Sequence, residues 1–221
     1  MLVVGFDTAT PAVSVALHDG DRVVSEAFAV DARRHSELLV PMIAKVMADV
    51  GASRGDLTAV AVGVGPGPYT GLRVGVVTAK VLGAVLALPV HGVCSLDVIA
   101  AEVPPGREFL VATDARRKEV YWARYDAAGR RVQGPSVGRA SSIPGAAKLA
   151  AAGIGGQLYP DAFGGALRPA YPDARTLCGI VAGALARRPG AARPPLLAAE
   201  PLYLRRPDAR EPGPPKRVTP S

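Results

Sequence analysis

Apolar residues along this chain read as strands first and helices afterwards. Leu2 to Phe6 is a short continuous apolar run closed by Asp7, the pattern of a central strand. Val13 to His18 and Arg22 to Ala27 lie on either side of Asp19-Gly20-Asp21, and an Asp-Gly turn between alternating runs predicts a hairpin. A helix is predicted from about Ser36, as its N-cap, to Val50, with Gly51 just beyond. Leu39, Ile43, Val46 and Val50 form one apolar seam on it, and Leu38, Met42 and Met47 form a second. Two seams exceed what a helix needs to cover a sheet, so the helix is either deeply buried or meets another chain. Pro41 deletes a helical hydrogen bond, which predicts a late start or a slight kink.

Ala59 to Val64 reads as a buried strand, and a long apolar segment from Val74 to Val90 reads as a buried helix rather than a membrane span. Gly71, Gly75, Ala79 and Gly83 recur every four residues on that second helix. Interior glycines cost about 0.5–1 kcal/mol each against alanine, so the row needs close approach of its own sheet or of a partner helix. Another strand, Val90 to Cys94, and a short helix capped by Ser95 follow.

Pro104-Pro105-Gly106 marks a boundary, which divides the chain into residues 1–103, 104–206 and a Pro-rich, charged tail, 207–221, expected to be disordered. An offset of 107 residues places Asp114 on Asp7, Val120 on Val13, Ala123 on Ala16 and Asp126 on Asp19. Each half then reads as strand, Asp, turn, strand, acidic turn, basic strand. The second half is less regular, with Arg116-Arg117-Lys118 as a solvated hairpin tip and helices expected over Ala146 to Ala152 and Leu177 to Leu185.

Composition narrows the function. The N-terminus lacks the basic flank of a signal peptide and meets Asp7 too early for one. Cys94 and Cys178 stand apart without metal-ligand spacing, as core residues do in a reducing cytosol. A formal charge of +7 suggests an acidic partner such as nucleic acid, but aromatics for base stacking make up only 5% of the chain.

The chemistry-bearing stretch is Val64-Gly65-Pro66-Gly67-Pro68-Tyr69-Thr70-Gly71-Leu72-Arg73-Val74-Gly75. A strand, a glycine-rich turn and a helix N-terminus together expose backbone N–H groups toward an anion. Asp7, Thr8, Gly65, Gly67, Thr70, Gly71 and Arg73 are the candidate nucleotide or phosphate loop, and a close-packed turn without ligand is the competing reading. The spacing fits neither the P-loop nor the dinucleotide fingerprint.

With Asp7-Thr8-Ala9-Thr10, His35-Ser36-Glu37-Leu38-Leu39-Val40-Pro41 and the Pro-x-Tyr-Leu-Arg ending at Pro201 to Arg205, this loop closely resembles the bacterial TsaB (YeaZ) family. Pro68 and Tyr69 depart from its usual Ser-Phe, and Pro68 removes an N–H and a hydroxyl that a phosphate cradle would use. The resemblance implies an α/β fold of two actin-like (ASKHA, ribonuclease H-like) subdomains with mixed sheets. It implies a cytoplasmic, non-catalytic subunit that pairs with TsaD-type and TsaE-type proteins in making threonylcarbamoyladenosine in tRNA. TsaC-type enzymes would supply the donor, and tRNA would be met through the complex.

The catalytic TsaD relatives hold a metal through two histidines four apart on the first helix. Here Leu39 follows His35 at that spacing, so no metal site and no catalytic residue are expected. No cofactor of its own is expected either, with ATP or ADP and Mg²⁺ at the complex interface. Gly153-Ile154-Gly155-Gly156 is the second-half candidate for adenosine, with no helix expected behind it. The expected partner interface is His35, Leu39, Met42, Ile43, Val46, Gly75, Ala79 and Gly83, a surface that self-associates when the partner is absent. Rival readings are a free-standing actin-like ATPase, kinase or peptidase, and a basic tRNA-binding module with steep salt dependence.

Overall fold

The computed structural model describes residues 1–186 and 194–205, so the expected tail lies outside the described residues. The opening strands form as the apolar runs imply: β1 (Val3–Asp7), β2 (Ala12–His18) and β3 (Val23–Val30). Asp19 Oδ1 accepts from the N–H groups of Asp21 and Arg22, at 2.8 Å each, and closes the β2–β3 turn. β4 (Ala59–Gly63) and β5 (Val90–Val93) complete a sheet of order β3-β2-β1-β4-β5, antiparallel at β1–β2 and β2–β3 and parallel beyond. β1 is buried throughout because helices cover both faces of the sheet.

Helices α1 (His35–Asp49) and α2 (Tyr69–Leu86) lie side by side on one face. α1 starts one residue before the expected cap: Arg34 is the N-cap, and no side chain caps the helix. Pro41 sits in mid-helix without ending it, on an exposed side where water can take the freed carbonyl.

The expected interface is corrected here. His35, Leu39, Ile43 and Val46 are buried in this chain, Met47 from the second seam joins them, and Val50 is exposed instead. Met42 and Leu38 are half-buried against the same core. The row Gly71, Gly75, Ala79 and Gly83 also faces inward. A Cβ on Gly75 would lie 2.5 Å from Thr8 Oγ1, and one on Gly83 would lie 2.3 Å from Val90 Cγ2. The close approach that the glycines permit is to their own sheet. What α1 and α2 turn outward is Val40, Val77, Val81 and Val85.

After α3 (Ser95–Ala100), β6 (Phe109–Asp114), β7 (Val120–Tyr125), β8 (Arg131–Gly138) and β9 (Ala151–Ala152) form a second sheet of order β8-β7-β6-β9. Its pairing repeats the first sheet, with two antiparallel neighbours and then a parallel one. Two mixed sheets of like topology in one chain are the α/β, actin-like architecture. Ala146 to Ala152 is a 3-10 turn and β9 rather than a helix. A five-residue helix, α4 (Ile154–Leu158), forms where none was expected.

The boundary at residue 104 separates the sheets but not the packing. α5 (Ala174–Leu185) returns to cover the other face of the first sheet, setting Leu177, Cys178 and Val181 against Val3, Ala16 and Ala61. A Cβ on Gly5 would lie 2.4 Å from Cys178 Sγ, so β1 and α5 touch. Leu197 exchanges backbone bonds of 2.8 Å with Gly92, and Leu202 N–H donates to the Val64 carbonyl. Residues 174–205 therefore build the first half as much as the second. α3 ties the halves further, its Leu96 and Ile99 sharing a core with Phe109, Val111 and Tyr125.

Candidate functional site

β1 and β6 end on Asp7 and Asp114, and the cleft between the sheets opens beside these ends. Asp7 is sealed. Ser95 Oγ donates to its Oδ2 at 2.5 Å, Ala9 N–H donates to its Oδ1 at 2.7 Å, and the side chain is fully buried. A Cβ on Gly63 would lie 1.7 Å from Oδ2, so Gly63 leaves the carboxyl just enough room. Burial pushes the carboxyl up to about 6, against the lowering pull of the Ser95 and Ala9 bonds and the nearby His35. A group already bonded on both oxygens is not placed to hold Mg²⁺.

The glycine loop is packed in the same way. Gly65 has φ +90°, its N–H donates to Ser95 Oγ at 3.1 Å, and its carbonyl accepts from Ser95 N–H at 2.7 Å. A Cβ on Gly67 would lie 2.2 Å from the Ala9 carbonyl oxygen. Thr8 Oγ1 donates to the Gly71 carbonyl at 2.8 Å and accepts from Gly75 N–H at 3.1 Å, pinning the first turns of α2 to the end of β1. His35 Nε2 lies 2.7 Å from the Thr10 carbonyl, so it is the nitrogen that carries the proton. Of the candidate phosphate residues, Asp7, Thr8, Gly65, Gly67 and Gly71 are buried, whereas Thr70 and Arg73 are exposed.

The second-half glycines serve packing too. Cβ atoms on Gly153 and Gly155 would lie 2.2 and 2.8 Å from the Ala112 carbonyl oxygen, and one on Gly156 2.4 Å from that of Ala151. They let α4 settle on β6 and β9. Both glycine sets are used for close approach to the chain's own backbone and side chains. Among the described residues, no three His, Cys, Asp or Glu side chains gather. Burial pushes the Cys94 thiol up to about 12 and the Cys178 thiol higher still, so neither is a ready nucleophile.

The cleft is furnished by residues from both halves of the chain. A cavity of about 330 Å³ is lined by Tyr69, Tyr121, Tyr203, Arg116, Arg117 and Arg205. A neighbouring one of about 210 Å³ holds Thr8, Thr10, His35, Thr70, Asp114 and Arg116. Tyr69 and Tyr203 stack with centroids 5.2 Å apart, and Arg73 lies 5.1 Å from the Tyr69 centroid and donates to its hydroxyl at 2.7 Å. Arg205 donates to the Ala115 carbonyl at 3.1 Å and pairs with Glu119, clamping the last described segment onto the β6–β7 hairpin.

That hairpin tip is strained. Arg116, Arg117 and Lys118 have φ of +61°, +55° and +61°, a region that costs an L-residue roughly 1–2 kcal/mol. Arg116 N–H donates to Asp114 Oδ1 at 2.8 Å, and Glu119 N–H donates to the Arg116 carbonyl at 3.0 Å, which holds the tip. The sequence marked three cations at a hairpin tip but carried no sign that the tip faces Tyr69 and Tyr203.

The model of the family described as "TsaD: tRNA N6-adenosine threonylcarbamoyltransferase" matches residues 23–154. A protein of Mycobacterium tuberculosis is 44% identical over 94% of this chain and 93% of its own length. Escherichia coli TsaB, named a tRNA threonylcarbamoyladenosine biosynthesis protein, is 38% identical over 57% of this chain and 55% of its own. YeaZ from Pseudomonas aeruginosa superposes with a TM-score of 0.74 at 29% identity, over 92% of this chain and 99% of that one. The chain belongs to the TsaB (YeaZ) family. Its match to the named TsaB of Escherichia coli spans just over half of that protein's length, whereas the YeaZ fold is shared almost end to end. Most of the TsaB sequence wording falls in the first half, where Asp7, the glycine loop and α2 pack together, and the rest is the Pro201 to Arg205 ending.

Proposed function

We propose that this chain is a partner-binding, non-catalytic subunit in the synthesis of threonylcarbamoyladenosine in tRNA, supporting a TsaD-type transferase. The observation that carries the reading is the apolar outward side of α1 and α2. Val40, Val77 and Val81 are each at least half exposed and Val85 is 74% exposed, while the inward sides of both helices are already spent on the core. An exposed apolar patch of this kind supports an interface. α2 is the one described helix long and apolar enough to cross a membrane, and its inward side packs on β4.

The sealed Asp7 and the packed glycines support a role without its own nucleotide chemistry. On this reading ATP or ADP with Mg²⁺ binds only where a partner completes the site, a TsaE-type protein joins the same assembly, and the setting is the cytoplasm. Alone, the chain self-associates through the same valines. The peptidase reading finds no support in Ser95, which is buried and spent on Asp7 and Gly65.

The test is co-purification with a TsaD-type protein. Val81→Glu and Val85→Glu should abolish it and render the free chain monomeric, with the melting temperature unchanged. Undiminished capture by both variants would refute the proposed surface. Turnover of ATP or a peptide by the purified chain alone would refute the non-catalytic role.

A further inference from the structure

We infer that the cleft between the two sheets binds a single-stranded segment of RNA, a base stacking against Tyr203 and Tyr69 and phosphates meeting Arg73, Arg116 and Arg117. The choice of RNA rests on the proposed role in tRNA modification. The chemistry rests on the cleft.

Three of the six tyrosines meet there from three distant stretches of chain. Tyr69 and Tyr203 stack on each other yet remain 45% and 43% exposed. The other stacked pair, Phe109 and Tyr125, has nearly the same centroid distance, 5.3 Å, but both rings are 1% exposed. The second pair is core packing, and the first presents ring surface to solvent. Aromatic faces beside a row of cations are how proteins hold single strands whatever their sequence.

The cations flank these rings from both sheets. Arg73 comes from α2, beside Tyr69. Arg116 and Arg117 come from the strained β6–β7 tip, where glycine would relieve the backbone and the sequence instead supplies charge. Arg116 pairs with Asp114 at 3.5 Å, but its side chain stays 61% exposed and within reach of a phosphate. The two cavities share Pro68 and Arg116, so a strand with a nucleotide in the larger one can run on into the smaller. A volume of about 330 Å³ lies at the low end of small-ligand sites, enough for a single nucleotide unit. A free Mg²⁺-nucleotide suits the cleft less well, since Asp7 is sealed and Asp114 is engaged by Arg116 through both its N–H and its guanidinium.

The experiment is fluorescence anisotropy of the full chain with a labelled seven-nucleotide RNA of mixed sequence, at low and moderate salt. Tyr203→Leu should weaken binding by about 5- to 100-fold and Tyr203→Phe should preserve it, as stacking requires. Arg116→Ala with Arg117→Ala should weaken binding at least tenfold and flatten the salt slope by about 1.4, or roughly 0.7 per lost phosphate contact. Arg22→Ala, an exposed cation far from the cleft, should change nothing. Absence of binding by the wild-type chain, equal losses from Arg22→Ala, or Tyr203→Leu binding as tightly as wild type would overturn the inference. So would displacement of the RNA by ATP at equal nucleotide concentration, which would make the cleft a mononucleotide site. Co-purification with the TsaD-type protein is measured on the same samples. Its retention without RNA binding defeats only this inference, whereas its loss in the wild type defeats the functional reading.

Discussion

Replacing Asp7 with asparagine tests whether the aspartate that ends β1 is a structural group rather than a ligand-facing one. The carboxyl ionises in the folded chain at about 6, against 3.8 for its ordinary value, because burial penalises the charge. An acid with a raised folded pKa is stabilising in its protonated form. Its contribution is fully present below the unfolded value and is lost as pH rises through about 6. The shift corresponds to about 3 kcal/mol at 1.36 kcal/mol per pH unit. Asparagine is isosteric with the protonated acid. It keeps an oxygen for Ala9 N–H and offers an N–H to Ser95 Oγ. Asp7→Asn should therefore nearly match the wild type near pH 4, gain on it as pH rises from about 4 to about 6, and hold a constant advantage above that. The gain at pH 8 should reach about 3 kcal/mol, or roughly 6–12 °C in melting temperature for a chain of this size. Urea and thermal denaturation of both proteins at intervals from pH 4 to pH 8 measure the difference directly, and other titrating groups cancel. A stability gap that stays constant over that range would refute the reasoning. It would mean that Asp7 ionises freely, which would restore it as a candidate for binding a cation.

Gly75→Ala should destabilise the fold by about 1–3 kcal/mol, since the added Cβ meets Thr8 Oγ1 at 2.5 Å, and thermal melting would show it. Leu39→Ala should cost about 2–5 kcal/mol in urea denaturation, because this residue, expected at an interface, is fully buried in the core. Lys118→Gly should raise stability by about 1 kcal/mol, by relieving a φ of +61° at the β6–β7 tip. A melting temperature that falls in that variant would show that the tip is not strained.

Local chemistry made much of this protein legible before any coordinates. The apolar run ending at Asp7, the Asp19-Gly20 turn and the glycine loop between a strand and a helix all act over a few residues, so their pattern reads directly, and it recurs in part at Asp114. Part of the family wording lay in those same stretches. Which side of α1 and α2 faces inward was not legible, because apolar residues occupy both sides and periodicity alone does not choose between them. The sheet chose, burying Leu39, Val46 and the glycine row and leaving Val77, Val81 and Val85 outside. Nor could sequence show that Asp7 is sealed, since Ser95 closes it from 88 positions away. α5 was visible as a helix, but its return to β1 was not, for an apolar side does not name the sheet that it covers. The cleft shows this most clearly: Tyr203 reaches Tyr69, and Arg205 reaches Glu119 across 86 positions. Residue spacing governs which element forms; contacts between distant residues govern which face is buried and which groups share a cavity, and those arise only when the sheets pack.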